Sequence, residues 1–199
     1  MVSQEKDLST FSTIKFSNKT KLLACLPLSF FLFRLAVTYQ EGEPEIVFWL
    51  CHINNLLLCA GILFSVPKII QITALWFIVG FIMWIVDLFG NGNFTISSFI
   101  SHFGGLIISL FFLTKTKINL FVWVYSIAWF LLLQQYCRMF TSPKLNINSS
   151  VEIWSSYKGI FVNYWAFQIF QIISLSLVLA LVNVIIYWFL KKLELKRAL

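Results

Sequence analysis

Charge is what this sequence has least of. Asp, Glu, Lys and Arg together make up 12% of its 199 residues, against 59% hydrophobic residues and a mean hydropathy of +0.85. A soluble domain ordinarily carries about twice that charge, so this class is excluded. Histidine is scarcer still, with His52 and His102 the whole supply. They could ligate a b-type haem from separate helices, or join Asp87 at a metal, but no HExxH and no second carboxylate cluster accompanies them. No metal and no cofactor is therefore expected. The cysteines Cys25, Cys51, Cys59 and Cys137 all fall in apolar runs, without the spacing of a zinc site or a disulfide framework. No small-x-small cleavage site precedes EGEPE, and the first apolar run contains Arg34, so that run reads as a retained helix. Repeats and basic grooves with interleaved aromatics are missing too, which argues against nucleic acid as a partner.

What is present is apolar length. A hydrocarbon core about 30 Å thick takes roughly 20 helical residues. Windows of that order occur at Leu22 to Tyr39, Ile46 to Val66, Ile69 to Leu88, Thr95 to Leu113, Ile118 to Cys137 and Trp165 to Leu190. The runs are continuous rather than alternating, so they read as helices and not as barrel strands. The expected architecture is all-α: a multi-pass membrane protein with a six-helix bundle at 22–190, a polar leader at 1–21 and a basic tail at 191–199.

The loops set the orientation. Lys6, Lys15, Lys19 and Lys21, then Lys68, then Lys115 and Lys117, then Lys191, Lys192, Lys196 and Arg197 all fall on one side of six crossings. The other side receives EGEPE, GNGN and a loop of mixed charge. The excess of positive charge puts both termini in the cytosol, of a bacterial inner membrane or of a eukaryotic endomembrane or plasma membrane. The same lysines account for the net charge of +7 as anchors beside anionic lipid. Sequons stand at Asn93 and Asn148.

Polar residues inside the runs concentrate toward the outer surface. At 1.5 Å per residue, Arg34, His52 and His102 lie roughly 8 to 11 Å deep. Asp87 closes the third run, Gln134 and Gln135 the fifth, and Tyr164, Gln168 and Gln171 open the sixth. The inner half is nearly sealed, with Gln71 and Asn183 as exceptions. Isolated polar groups cost several kcal/mol in hydrocarbon, so these residues are expected to face one another or water. Phase agrees: His52, Asn55 and Cys59 share one helical stripe, as do Ser98, His102, Gly105 and Ser109. Bland readings compete at each position. The histidines could simply hydrogen-bond across the bundle, Arg34 and Asp87 could form an interfacial ion pair, and the cysteines could be small buried hydrophobes.

Three motifs taken in order, CHINN, VDLFG and FISHFGG, resemble the YwaF-type six-helix integral membrane proteins over Phe48 to Thr114, about a third of the chain. One eukaryotic branch of that family is a phospholipid acyltransferase using cysteine and histidine, and a more distant six-helix group hydrolyses lipid esters with threonine and histidine. The resemblance implies that His102 matches the catalytic histidine and that His52 and Asn55 match the helix-two motif. Asn54 stands where the motif has its cysteine, and an amide cannot form a thioester.

The expectation carried forward is chemistry on a membrane lipid, by acyl transfer or ester hydrolysis. His102 would be general base, His52 and Asn55 would position it or hold an oxyanion, Arg34 would hold the headgroup, and Asp87, Gln134, Gln168 and Gln171 would line the pocket. The alternative is a non-enzymatic binder of lipid or small solute, or a small transporter. Oligomeric state is not legible.

Overall fold

A computed structural model describes residues 15–91, 94–154 and 157–197. Most of the leader and the sequon residue Asn93 lie outside the described residues. Among those residues there is no strand, and six long helices carry the fold: α1 Asn18–Gln40, α2 Leu50–Leu63, α3 Pro67–Asn91, α4 Ile96–Leu113, α5 Val122–Phe140 and α6 Tyr164–Arg197. Four of them, α1, α3, α4 and α6, contain stretches long and apolar enough to cross a bilayer. Local chemistry sets their ends. Ser17 caps α1 by accepting from Thr20 N at 3.2 Å, and Thr95 caps α4 by accepting from Ser98 N at 3.2 Å. Pro67 opens α3, where its missing N–H costs nothing.

The second apolar run is not one helix. It enters as a 3₁₀ turn, Pro44–Phe48, breaks at Trp49 (ψ 136°) and becomes α-helical only from Leu50. The cause lies about a hundred residues away. The Asn148 amide donates to Phe48 O at 2.9 Å and accepts from Leu50 N at 2.9 Å, pegging the chain on both sides of Trp49. α2 is left with 14 residues, a rise of about 21 Å.

α3 is the central rod. One side packs Ile70 and Phe77 with Ala24, Leu58, Ile62 and Phe112 from α1, α2 and α4. The other packs Leu75, Trp76 and Val79 with Val122, Phe130 and Leu179 from α5 and α6. The outward faces stay apolar, as at Leu177, Leu181 and Ile185 of α6.

Chain connections sort onto two ends. At one end Phe16 N donates to Ser65 Oγ (3.3 Å) and the Lys68 ammonium sits 4.1 Å from the centroid of the Tyr125 ring. The α4–α5 link ends there as well. Gln71 Nε2 donates to Lys117 O (2.7 Å), and Asn183 Nδ2 donates to Leu120 O (2.6 Å) and Asn119 O (3.2 Å). Both amides are buried. The two polar residues expected in the inner half therefore satisfy loop carbonyls. Gln71→Leu strips the partner from Lys117 O and should cost about 2 kcal/mol, read as a lowered thermal midpoint in detergent.

Candidate functional site

The polar centre lies toward the other end, among α1, α2, α3 and α4. α4 is not a uniform α-helix: Ile100–Gly104 is wound as a π-helix, and His102 is its middle residue. Such local widenings are uncommon and recur at functional sites. His102 Nδ1 lies 2.8 Å from Ser98 O. A carbonyl can only accept, so Nδ1 carries the proton and the neutral ring keeps its lone pair on Nε2. The Trp84 ring of α3 stacks on this imidazole at 5.3 Å and 20°.

His52, the third residue of α2, brings its ring centroid to 5.8 Å from that of His102, edge to face at 75°. Both histidines are buried, at 4% and 6% exposure. The two stripes read from helical phase thus meet. Arg34 of α1 is held against the start of α4. Its NH1 donates to Ser97 Oγ at 3.0 Å. Four buried polar atoms around this centre have no hydrogen-bond partner among the described residues: Arg34 Nε, His52 Nδ1, Asn55 Oδ1 and Ser101 Oγ. Most buried polar atoms in folded proteins are paired, so such a concentration marks an unusual place.

Of the two parts expected for Asn55, its hydrogen bonds fit positioning. Its Nδ2 donates to Cys51 O and to Ser101 O, both at 3.2 Å. Both N–H bonds are spent on carbonyls, so Asn55 offers no donor to an oxyanion. It ties α2 to the π segment that carries His102. Asn54 turns the other way, accepting from Trp129 Nε1 of α5 at 3.1 Å.

Arg34 bonds Ser97, and no carboxylate of the described residues stands within ion-pair distance of it. Asp87 is exposed on α3. The three glutamines expected in the pocket form a second cluster with other work. Gln134 Nε2 donates to Asn148 O (3.0 Å) and Ser149 O (3.2 Å) and meets Gln171 Oε1 at 3.2 Å. Gln168 Nε2 donates to Ser149 O at 3.1 Å. Arg138 Nε and the Tyr164 hydroxyl both donate to Ser150 O at 2.8 Å. The reason is the loop itself: Asn146, Asn148 and Ser149 have φ of 42°, 55° and 53°, and this left-handed path turns successive carbonyls inward. Buried carbonyls need donors, and these side chains supply them.

Trp84 and Ser97 escaped the sequence reading. A tryptophan in an apolar run carries no signal of what it stacks on, and Ser97 stood one position from the stripe that drew notice.

Comparisons with protein-family models, curated proteins and solved structures find no match for the chain. Its class rests on its own fold: an all-α protein whose long apolar helices, consistent with a multi-pass membrane protein, enclose a buried histidine pair.

Proposed function

We propose that the chain crosses the membrane six times with both termini in the cytosol, and that its histidine pair catalyses acyl transfer or ester hydrolysis on a membrane lipid. The topology is supported by the gathering of Lys68, Lys115 and Lys117 at the end opposite the histidines. The chemistry is supported above all by the meeting of His52 and His102 beside Arg34.

His102 Nε2 is the base, since Nδ1–H is committed to Ser98 O. The same commitment explains why Ser98 is not the nucleophile, although its Oγ lies 3.4 Å from Nδ1: a nitrogen that already holds its proton cannot take another from the hydroxyl. Attack is therefore direct. Nε2 removes a proton from water, or from the hydroxyl of an acceptor lipid, as that oxygen adds to the ester carbonyl. The tetrahedral oxyanion is held by His52 N–H, and Arg34 holds the headgroup. Collapse breaks the bond to the leaving alcohol, which takes the proton back from His102. No acyl-enzyme forms, in keeping with Asn54 at the position where relatives by resemblance carry cysteine. Trp84 stacks on the imidazolium during the cycle.

The test uses purified protein in detergent micelles with added glycerolipids, and mass spectrometry of released fatty acid and newly acylated lipid. His102→Ala is expected to lower turnover about 100-fold or more, the scale of a lost general base. His52→Ala is expected to lower it to a similar degree. Equal turnover in wild type and both variants removes the catalytic reading.

A further inference from the structure

Ser101 breaks a habit of this fold. Four other hydroxyl residues at 0% exposure lie in helices of the described residues: Thr38, Thr73, Ser109 and Ser126. Each turns back on its own helix and donates to a carbonyl three or four residues earlier, at 2.9 to 3.1 Å, as helical hydroxyls commonly do. Ser101 is also 0% exposed, yet its Oγ has no partner among the described residues. The carbonyl three residues before it, Ser98 O, receives His102 Nδ1 instead. A sealed hydroxyl without a bond is costly, so a position that keeps one open marks a donor held for something else.

A second open polar group stands across the seam between α2 and α4. Asn55 Nδ2 donates to Ser101 O at 3.2 Å, which fixes the backbone of Ser101 against α2. His52 lies on the same stripe of α2, one turn before Asn55, and its Nδ1 is buried without a partner. The His52 ring meets that of His102, the residue next to Ser101, at 5.8 Å between centroids. Two unpaired polar groups thus approach the base from two helices. Bonding decides what the hydroxyl can do. A nucleophilic oxygen needs a base within hydrogen-bond reach to take its proton, and Ser101 Oγ is bonded to neither imidazole. It keeps its proton and is a donor.

We infer that Ser101 is a catalytic residue whose hydroxyl is the second donor, with His52, to the carbonyl oxygen of the acyl ester. Its bond is weak to the neutral carbonyl and strengthens as that oxygen takes up negative charge. This rests on the ester chemistry proposed above and adds the group that completes its oxyanion site.

The readout is binding of a mimic that cannot be cleaved, so this inference and the catalytic one fail separately. A long-chain alkyl trifluoromethyl ketone adds water at its carbonyl carbon. The tetrahedral hydrate can then give one hydroxyl proton to His102 Nε2 and leave an oxyanion. The matching alkyl methyl ketone stays a flat carbonyl. Both are titrated by calorimetry into wild type, Ser101→Ala and Ser109→Ala in maltoside micelles. Wild type is expected to bind the trifluoromethyl ketone at least about tenfold more tightly, the scale of one charge-assisted contact. Ser101→Ala should lose that preference, and Ser109→Ala should keep it. Equal wild-type affinity for the two ketones overturns the inference without any variant, as does an undiminished preference in Ser101→Ala. Thermal unfolding without ligand is the second measurement. Removing an unpaired buried hydroxyl should leave the midpoint of Ser101→Ala level with wild type or raise it by about 2–4 °C. A lower midpoint overturns the inference, because the hydroxyl would then serve the fold. Wild type is also treated with an alkyl fluorophosphonate, on which an attacking serine oxygen bonds to phosphorus, fluoride leaves and the hydroxyl proton passes to solvent. An unmodified Ser101 supports a donor, whereas a phosphonylated Ser101 overturns it in favour of a nucleophile.

Discussion

Gly105→Ala is expected to destabilise the protein by about 3 kcal/mol, the upper range for overpacking a filled core, and to disturb the histidine pair in the same stroke. A Cβ at Gly105 would stand 2.3 Å from Phe77 Cε1, 2.5 Å from Phe77 Cζ and 2.8 Å from Asn55 Oδ1. Phe77 is 2% exposed and is itself enclosed by Leu58, Ile62 and Phe112, so its ring has nowhere to go. α4 must then move away from α2 and α3. Asn55 is bonded to Ser101 O, so separation stretches the hydrogen bond that ties α2 to the π segment. The check is thermal unfolding in detergent, with Gly80→Ala as the control. Gly80 lies in α3 with nothing within 4 Å of its would-be Cβ, and alanine there should raise stability slightly through helix propensity. Equal midpoints for the two variants would mean that α4 does not pack as closely as described.

Asn148→Ala should cost about 4 kcal/mol. It removes the partner of Leu50 N and leaves Phe48 O only the Cys137 thiol at 3.9 Å, losses of about 1–3 kcal/mol each for buried groups, and it forces a Cβ-bearing residue without Asn's local hydrogen bonds into a left-handed conformation. Asn148→Gly separates the two contributions. Glycine adopts φ of 55° freely but makes neither bond, so it should recover roughly 1 kcal/mol of the loss. Because Asn148 pegs the entry of α2, both variants should loosen that entry first. Hydrogen exchange should rise at Leu50 N before it rises in the Leu58–Ile62 core. Unchanged protection at Leu50 would dismiss the peg.

The helices and the two polar stripes were legible because periodicity is local. His52, Asn55 and Cys59 recur at three and four, and any α-helix through them presents one face. The same arithmetic aligned Ser98 with His102 and Gly105. What escaped was whatever depends on another element. The π widening at Ile100–Gly104 leaves no mark in the spacing of apolar residues. The break at Trp49 comes from Asn148, about a hundred residues away, and nothing near Ile46 announces it. The glutamines of α5 and α6 show the commonest hazard in reading apolar helices. A polar side chain at membrane depth signals that something polar must be met there, but not whether it is a ligand or a neighbouring loop's backbone. Asn146, Asn148 and Ser149 were the clue, since a run rich in Asn and Ser favours turns, and a buried left-handed turn is a source of inward carbonyls.

One consequence of the Asn148 peg reaches into biosynthesis. The residue begins an Asn-Ser-Ser sequon, and N-linked sugar is attached through the very nitrogen that donates to Phe48 O. That atom is enclosed in the finished molecule, where a branched oligosaccharide has no room. Glycosylation at this position and arrival at the native state are mutually exclusive, so in a sugar-attaching compartment an occupied site would label the chains that had failed to mature.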